Sequence, residues 1–315
     1  MRIAYIVPYV PNLIRTRPYN LIINLASLGH EVVVFTLGSG SQDLADVDAL
    51  RSRGIDVRYY EMPAWRSLAN SVLALPSWQP LQTVYSWHPG IARQLVELLG
   101  VESPSKKFDV VHIEHLRGSR YGMFIKSRLP KLPVVWDSVD SISHLFRQAS
   151  SHSRSLFGKL VTRLELPRTE RAEGTLAFLF DHVVITSETD KNALLKLVPA
   201  GRKPSPITVL PNGVDLDYFQ PNPTVQREPD SIVFSGKMSY HANISMVKYL
   251  VAEVMPRIWE KRPSTRLTVV GKDPPADIKA LGENPLIIIT GTVDDIRPFL
   301  WKAAVAVVPL IYGAG

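Results

Sequence analysis

The chain has 315 residues, and 45% of them are hydrophobic, which suits two globular domains and excludes a largely disordered protein. It has no cysteine, so disulfide bonds and thiolate metal sites are excluded. The formal net charge is +7, but the basic residues are scattered and no known nucleic-acid-binding motif occurs, so we expect no nucleic-acid partner.

Short apolar runs alternate with helical patterns through the first two thirds of the chain. The predicted strands are residues 2–7, 31–37, 57–60, 109–113, 134–136, 182–186 and 207–210. The predicted helices are residues 19–28, 91–99 and 155–180, the last with Pro167 as a break or kink. Because the apolar runs are continuous rather than alternating, they indicate strands that are covered on both faces, as in parallel sheets.

A second α/β pattern follows a proline-rich polar stretch at residues 220–230, which we interpret as a linker. Its predicted strands are residues 232–234, 266–270, 286–290 and 305–310, and its predicted helices are residues 245–260, 276–281 and 294–302. The sequence therefore predicts an α/β protein with two Rossmann-like parallel-sheet domains, residues 1–219 and 231–315, facing a cleft. We expect the second domain to be incomplete, because no helix follows its last predicted strand and glycine-rich turn.

Glycine follows three successive predicted strands of the second domain, at Gly236, Gly271 and Gly291. Since glycine has no Cβ, a ligand can approach the backbone closely at such a corner. Lys237 and Lys272 directly follow two of these glycines and could neutralise a phosphate. The alternative is that the glycines only turn the chain from strand to helix. A nucleotide or phosphosugar site and a purely structural role both remain open here.

Polar side chains also follow one strand of the first domain, at His112, Glu114 and His115. Alternation along a strand places His112 and Glu114 on one face and His115 on the other. Metal binding requires ligands that converge, so we expect no metal site.

The next strand is followed by Asp137, Asp140 and His144. These could position an acceptor hydroxyl or transfer a proton, or they could serve only as helix caps and loop hydrogen bonds. Arg15 and Arg17 lie in the first strand-to-helix loop and could contact a phosphate.

The densest basic segment is residues 154–171, which also carries apolar residues at helical spacing, including Val161 and Leu164. Packing of that apolar stripe against the protein's own sheet is the commoner arrangement, and contact with an anionic membrane is the alternative. The apolar run at the amino terminus is too short for a signal peptide, and no uncharged stretch reaches the roughly 20 residues of a membrane span. We expect a cytoplasmic protein, with peripheral contact at the inner face of the membrane as the alternative.

Seven short segments, in their order and spacing, resemble retaining GT-B glycosyltransferases of family 4, most of all the subgroup found in bacterial exopolysaccharide clusters. They are residues 109–112, 186–188, 210–215 with Phe219, 232–236, 267–271, 290–295 and 307–310. The resemblance implies transfer of a sugar, with retention, from a nucleotide-sugar donor bound by the second domain to a glycan or lipid-linked acceptor bound by the first. It implies no metal or other cofactor, because the diphosphate leaving group is stabilised electrostatically.

On this basis we predict three groups of site residues. The predicted catalytic residues are Asp137 and Asp140. The predicted acceptor-binding residues are Arg15, Arg17, His115 and His144. The predicted donor-binding residues are Gly236, Lys237, Gly271, Lys272, Gly291, Thr292, Val293, Gly313 and Gly315.

The sequence departs from the family pattern in several places. The loop at residues 11–17 has no glycine, no histidine occurs at residues 137–140, and the paired-glutamate segment expected beyond Gly315 is absent. We therefore expect this chain alone to turn over poorly, as a truncated transferase. Two alternatives are a truncated, non-catalytic chain that binds nucleotide or glycan, and a nucleotide-sugar epimerase on the same scaffold.

Overall fold

The computed structural model describes residues 1–101, 107–152 and 156–310, which form two compact units that separate between Gly213 and Val214. The proline-rich stretch at 220–230 belongs to the second unit, and the first strand of that unit begins inside the stretch, at Glu228.

The first unit alternates strands with helices along the chain. Its strands are β1 (Arg2–Val7), β2 (Glu31–Gly38), β3 (Asp56–Glu61), β4 (Val110–Glu114), β5 (Val134–Val139), β6 (His182–Ile185) and β7 (Ile207–Val209). Its helices are α1 (Thr16–Ser27), α2 (Ser41–Arg51), α3 (Ala64–Ala74), α4 (Leu81–Tyr85), α5 (Pro89–Leu99), α6 (His115–Arg128), α7 (Ile142–His152), α8 (Leu156–Leu179) and α9 (Glu188–Leu195).

The seven strands pair in parallel in the order β3-β2-β1-β4-β5-β6-β7. Alternate residues of one strand enter two separate cores: Ala4 and Ile6 pack into one, Tyr5 and Val7 into the other. The continuous apolar runs therefore arise because helices cover both faces of the sheet, which confirms the parallel-sheet prediction.

The second unit has the same construction with fewer strands among the described residues. Its strands are β8 (Glu228–Ser235), β9 (Arg266–Val270), β10 (Ile287–Gly291) and β11 (Ala303–Ala306). Its helices are α10 (His241–Tyr249), a π-helical turn (Leu250–Val254), α11 (Met255–Trp259), α12 (Ala276–Lys279), a 3₁₀ turn (Ala280–Glu283) and α13 (Arg297–Lys302). The sheet is parallel, in the order β10-β9-β8-β11.

The last strand differs from its prediction as a buried strand over residues 305–310. It is limited to Ala303–Ala306, and Val305 is exposed. The reason is its place at the edge of the sheet, where β8 is its only partner within the described part of the chain. The glycine-rich turn predicted at residues 311–315 lies outside the described residues.

Helix α8 exposes the two residues of its predicted apolar stripe whose side chains the structure describes; the other three, Leu156, Phe157 and Leu160, lie outside the described side chains. Val161 and Leu164 are exposed, whereas Glu165, Thr169 and Glu173 are buried. The helix also continues through Pro167.

The two buried glutamates of α8 explain this orientation, because each accepts hydrogen bonds from the start of another helix. Glu165 accepts one from the backbone N–H of Leu81, the first residue of α4, at 2.7 Å. Glu173 accepts one from the N–H of Ile142, the first residue of α7, at 2.6 Å, and one from the Ser143 hydroxyl at 2.5 Å. Carboxylates satisfy the unpaired amides at helix N-termini. Capping by these two glutamates therefore fixes the orientation of α8 together with Leu176 and Ala177, which are buried in the core.

Candidate active site

The carboxyl edge of the first sheet holds a buried ion pair between two of the predicted site residues, Arg17 and Asp137. The Arg17 guanidinium donates from Nε and Nη2 to the two carboxylate oxygens of Asp137, at 3.0 and 3.2 Å. The remaining donor group, Nη1, reaches the backbone oxygen of Leu210 at 3.1 Å and Oδ1 of Asn212 at 3.0 Å. The Asp137 side chain is 0% exposed and that of Arg17 10%. All three nitrogens of this guanidinium donate to groups of the protein, so its main role in this structure is to hold the site together.

Glu114, at the end of β4, forms the second buried carboxylate of this edge. The hydroxyl of Tyr5 donates to its Oε2 at 3.0 Å, and the hydroxyl of Tyr9 donates to its Oε1 at 3.3 Å. Burial, reinforced by the charge of Glu114, raises the pKa of both phenols, so they stay protonated and remain donors. Burial and the nearby Glu114 also raise the pKa of Asp137, while His112 and Arg17 oppose that rise.

His112 lies between the two carboxylates, stacked on the ring of Tyr5 with ring centroids 4.3 Å apart. Its Nε2 is 3.7 Å from Oε2 of Glu114 and 3.8 Å from Oδ2 of Asp137, which is too long for direct hydrogen bonds. Alternation correctly predicted that His112 and Glu114 share a face. It did not predict Asp137 beside them, because that residue comes from the neighbouring strand.

The convergence of these three side chains raises the question of a metal site. Their ligand atoms lie within 4.8 Å of one another, so three possible ligands do converge here, with Asp137 in place of the His115 that the sequence pattern suggested. However, the carboxylate oxygens of Asp137 already accept from the Arg17 guanidinium, and those of Glu114 accept from two phenols. A cation would have to displace these donors and lie beside a permanent positive charge. The donor set therefore fits a hydrogen-bonded network better than a metal centre.

Asp140 has different surroundings from Asp137, although the sequence offers both as catalytic residues. It is partly exposed, and it accepts a hydrogen bond from the Thr186 hydroxyl at 3.3 Å. Burial and the charge of Asp190 raise its pKa to about 6. A carboxyl group with that pKa and an accessible face can take up a proton near neutral pH.

The backbone between these two aspartates is strained. Val139 has φ +63°, a left-handed conformation that is rare for a β-branched residue and costs about 1–3 kcal/mol. The strain accompanies an irregularity in the pairing of β5 with β6 between Asp137 and Val139. Thr186 holds the strained turn, because both its N–H (3.0 Å) and its hydroxyl (2.8 Å) donate to the Val139 carbonyl. The turn separates the environments of the two aspartates.

His115 and His144 take positions further along the same edge. His115 begins α6 with φ +61°, and burial, with a smaller effect of Arg117, lowers its pKa to about 4. It is therefore neutral at physiological pH. His144 lies in α7, where its Nε2 is 2.7 Å from the side-chain nitrogen of Gln148.

A cavity of about 200 Å³ opens at the carboxyl ends of β1 and β2. Arg15 lines it, together with Tyr9, Ser39, Asp43 and Arg117. The sequence prediction contained only Arg15 of this set. The other four follow strand ends in the sequence, but nothing in their spacing indicates that they line one cavity. A larger cavity, about 620 Å³, lies at the opposite, amino-terminal edge of the sheet, where parallel sheets do not place ligands.

In the second unit the three predicted glycines lie at the exits of adjacent strands, β8, β9 and β10. The N–H of Gly236 donates to the carbonyl of Val270 at 3.0 Å, and the N–H of Gly271 donates to that of Gly291 at 3.3 Å. A Cβ on Gly271 would be 1.8 Å from the Gly236 oxygen, and Gly291 has φ +69°. Backbone packing therefore requires glycine at Gly271, and the positive φ favours it at Gly291. At Gly236 the side chain of Asn243 occupies the space that a Cβ would need, 2.7 Å away.

The other predicted donor-side residues surround this edge. Lys237, Lys272 and Thr292 are exposed, and Val293 packs against the second core of this unit. Gly313 and Gly315 lie outside the described residues.

Within the part of the chain that the structure describes, none of the helices has the length and apolar character needed to cross a bilayer. Of the basic segment at residues 154–171, the side chains up to residue 160 are outside the described set.

Fold and edge residues together define the class of protein. Two parallel Rossmann-like sheets, each with polar groups or bare backbone at its carboxyl edge, are typical of α/β proteins that bind ligands at strand exits. The chain belongs to the glycosyl transferase 4-like domain family, whose model matches residues 14–213. The model for glycosyl transferases group 1 matches residues 229–315. The predicted glycosyltransferase class is therefore confirmed.

Solved structures agree on the fold. An E. coli structure described as trehalose-6-phosphate bound with UDP-2-fluoro glucose is 14% identical with a TM-score of 0.57, over 99% of this chain and 79% of its own. Medicago truncatula UGT71G1 complexed with UDP-glucose is 10% identical with a TM-score of 0.55, over 96% and 74%. A glycosyltransferase from Rickettsia africae is 16% identical with a TM-score of 0.52, over 97% and 72%. These similarities confirm the predicted GT-B fold. A search of curated proteins finds no match.

Proposed function

We propose that this protein transfers a sugar from a nucleotide-sugar donor to a glycan or lipid-linked acceptor, with retention at the anomeric carbon, in bacterial polysaccharide synthesis. The observation that carries the proposal is the match of transferase family models to both units. The solved structures with UDP-sugars support a nucleotide-sugar donor, since they share the fold.

The second unit is the donor side in this proposal. Gly236, Gly271 and Gly291 lie at adjacent strand exits, and Gly291 has open space where a Cβ would stand, so the diphosphate of a donor can approach the backbone there. Lys237 and Lys272 are exposed beside that edge and supply positive charge. Charge that develops on the leaving diphosphate would be stabilised by these fixed groups, so we assign no role to a metal ion.

The first unit is the acceptor side. The cavity beside Arg15 offers cationic, phenolic and carboxylate groups to a polar acceptor. Asp140 is the better candidate of the two aspartates for contact with a reacting hydroxyl, because Asp137 is fully buried and both its oxygens bind Arg17. We assign Asp137 and Arg17 to positioning, and Asp140 to accepting or directing a hydroxyl proton.

Replacement of Lys237 tests the donor assignment. We expect Lys237→Ala to weaken UDP or GDP binding by about 10- to 100-fold, the value of a charge-assisted hydrogen bond, in isothermal titration. Lys261→Ala is the matched control, because Lys261 lies in the same unit ahead of β9, at the amino end of that strand. Equal binding by both variants would remove Lys237 from the donor site.

A transfer assay separates this function from its alternatives. Incubation with a panel of labelled nucleotide sugars and bacterial glycolipid extracts should give labelled product with the anomeric configuration of the donor. Epimerised nucleotide sugar without transfer would favour the epimerase alternative. The chain shares its fold with a Listeria monocytogenes structure described as a putative UDP-N-acetylglucosamine 2-epimerase. Nucleotide binding without either product would favour a non-catalytic binding chain.

A further inference from the structure

Helix α3 presents its apolar face outward. Trp65, Leu68 and Val72 are 64, 66 and 53% exposed, and Leu75, directly after the helix, is 54% exposed. Their spacing of three, four and three residues places them on one stripe of the helix. The residues on the opposite, buried face are small. An exposed apolar stripe of this size is unusual on a protein surface and indicates an interaction site.

The buried face of α3 consists of Ser67 and Ala74, at 3 and 7% exposure. Ser67 and Ala64 also line the cavity beside Arg15 that we assign to the acceptor. The helix therefore has the cavity on one side and its exposed apolar stripe on the other.

The apolar surface extends onto the segment after α3 and onto α8. Trp78 is 65% exposed, and the Arg171 guanidinium lies 6.0 Å from its ring centroid. Arg168 donates to the backbone oxygen of Leu75 at 2.7 Å. On α8, Leu164 precedes these two arginines by four and seven positions, so all three residues share one face of the helix.

Charge around this surface favours an anionic partner. The sequence between Met62 and Val96 contains no aspartate or glutamate. Arg66 lies over the ring of Trp65, 5.1 Å from its centroid. On α8, Glu165 is buried and paired with Arg168 at 3.0 Å, and Glu170 is partly exposed and paired with Arg147 at 2.8 Å. Exposed tryptophans and leucines with arginines beside them are the composition of surfaces that bind the interface of anionic bilayers.

We propose that α3, the segment at residues 75–78 and the exposed face of α8 form a docking surface for an anionic lipid bilayer. The indole rings and leucines enter the interfacial region, and the arginines contact lipid phosphates. Docking in this orientation leaves the cavity on the far side of α3, one helix diameter (~10 Å) from the membrane surface, where the headgroup of a lipid-linked acceptor would be found. That last consequence rests on the proposed function, whereas the docking surface does not.

Vesicle co-sedimentation without donor or acceptor tests the surface independently of sugar transfer. We expect binding to vesicles of phosphatidylcholine mixed with phosphatidylglycerol and little binding to phosphatidylcholine alone. Trp65→Ser/Leu68→Ser should lower the partition coefficient at least about tenfold. Arg66→Gln/Arg171→Gln should lower the partition coefficient about fivefold for each charge removed. Added salt should also lower the partition coefficient, because it screens the attraction to anionic lipid.

Leu28→Ser is the matched control, since Leu28 is 73% exposed directly after α1 and lies outside the surface. It should bind vesicles as the unaltered chain does, and circular dichroism should show that all variants are folded. Equal binding to neutral vesicles, or equal binding by the surface variants, would overturn the proposal. So would a dimer in sedimentation equilibrium that Trp65→Ser/Leu68→Ser abolishes, because the surface would then belong to a second copy of the chain.

Discussion

The buried pair of Arg17 and Asp137 allows a sharp test of how the first unit is held together. Replacing Arg17 with methionine keeps the apolar part of the side chain but leaves a carboxylate with 0% exposure without its cationic partner. Removing one member of a buried ion pair typically costs about 3–5 kcal/mol, and the lost bonds to Leu210 and Asn212 place this case at the upper end.

The cost should depend on pH in a definite direction. Burial already raises the pKa of Asp137, and removal of Arg17 raises it further, since the arginine favours the charged carboxylate. With a folded-state pKa above the unfolded one, stability is fully present below the unfolded pKa and is lost as pH rises through the folded pKa. The difference in the free energy of unfolding between Arg17→Met and the unaltered chain should therefore be small at about pH 4 and grow toward about pH 8. It should grow by about 1.4 kcal/mol for each pH unit over which Asp137 is ionised in the folded unaltered chain but not in the folded variant.

Urea unfolding followed by tryptophan fluorescence measures this difference, because Trp136 in β5 is buried next to Asp137. The matched control is Arg58→Met, which breaks an ion pair of 2.9 Å whose side chains are 45 and 44% exposed. An exposed pair is worth about 0–1 kcal/mol, so this control should change little at any pH. A cost below about 1 kcal/mol for Arg17→Met at about pH 8, or a cost independent of pH, would refute the reasoning.

Two further predictions concern the site residues. Asp140→Asn should lower kcat about 100-fold or more and remove the rise in activity as pH increases through about 6. The free energy of unfolding at about pH 8 should stay the same or increase, because a partly buried charge is removed. A parallel loss of stability would assign Asp140 a structural role instead. Gly271→Ala should shift the neighbouring backbone, since its Cβ would lie 1.8 Å from a carbonyl oxygen, and should lower both the melting temperature and UDP affinity. Gly282→Ala, whose Cβ would meet its nearest atom at 3.6 Å, should be nearly neutral in both measurements, and equal effects would contradict this account.

Local sequence patterns predicted much of the scaffold. Apolar runs located the strands because a parallel strand covered by helices on both faces must be apolar along its whole length. Glycine after three successive strands located one edge of the second sheet, and the structure adds that the Gly271 position is filled by the backbone of Gly236. Helix α3 was not predicted, although Trp65, Leu68 and Val72 recur at helical spacing.

The sequence pattern of α8 did not show that Val161 and Leu164 would be exposed, because an amphipathic pattern reports which residues are apolar and not which surface is covered. In this helix Glu165 and Glu173 are buried because they cap α4 and α7. That stabilising contact can be recognised only when the tertiary structure places the starts of those two helices beside α8.

The sequence by itself determined the class of fold, the positions of most strands and the set of polar residues at strand exits, since these follow from interactions between near neighbours along the chain. Only the tertiary structure decided how those residues differ in chemistry. Asp137 and Asp140 are three positions apart, yet one is fully buried against Arg17 and the other is partly exposed beside Thr186. Burial and partners set the pKa of a carboxyl group, and both are supplied here by segments distant in sequence.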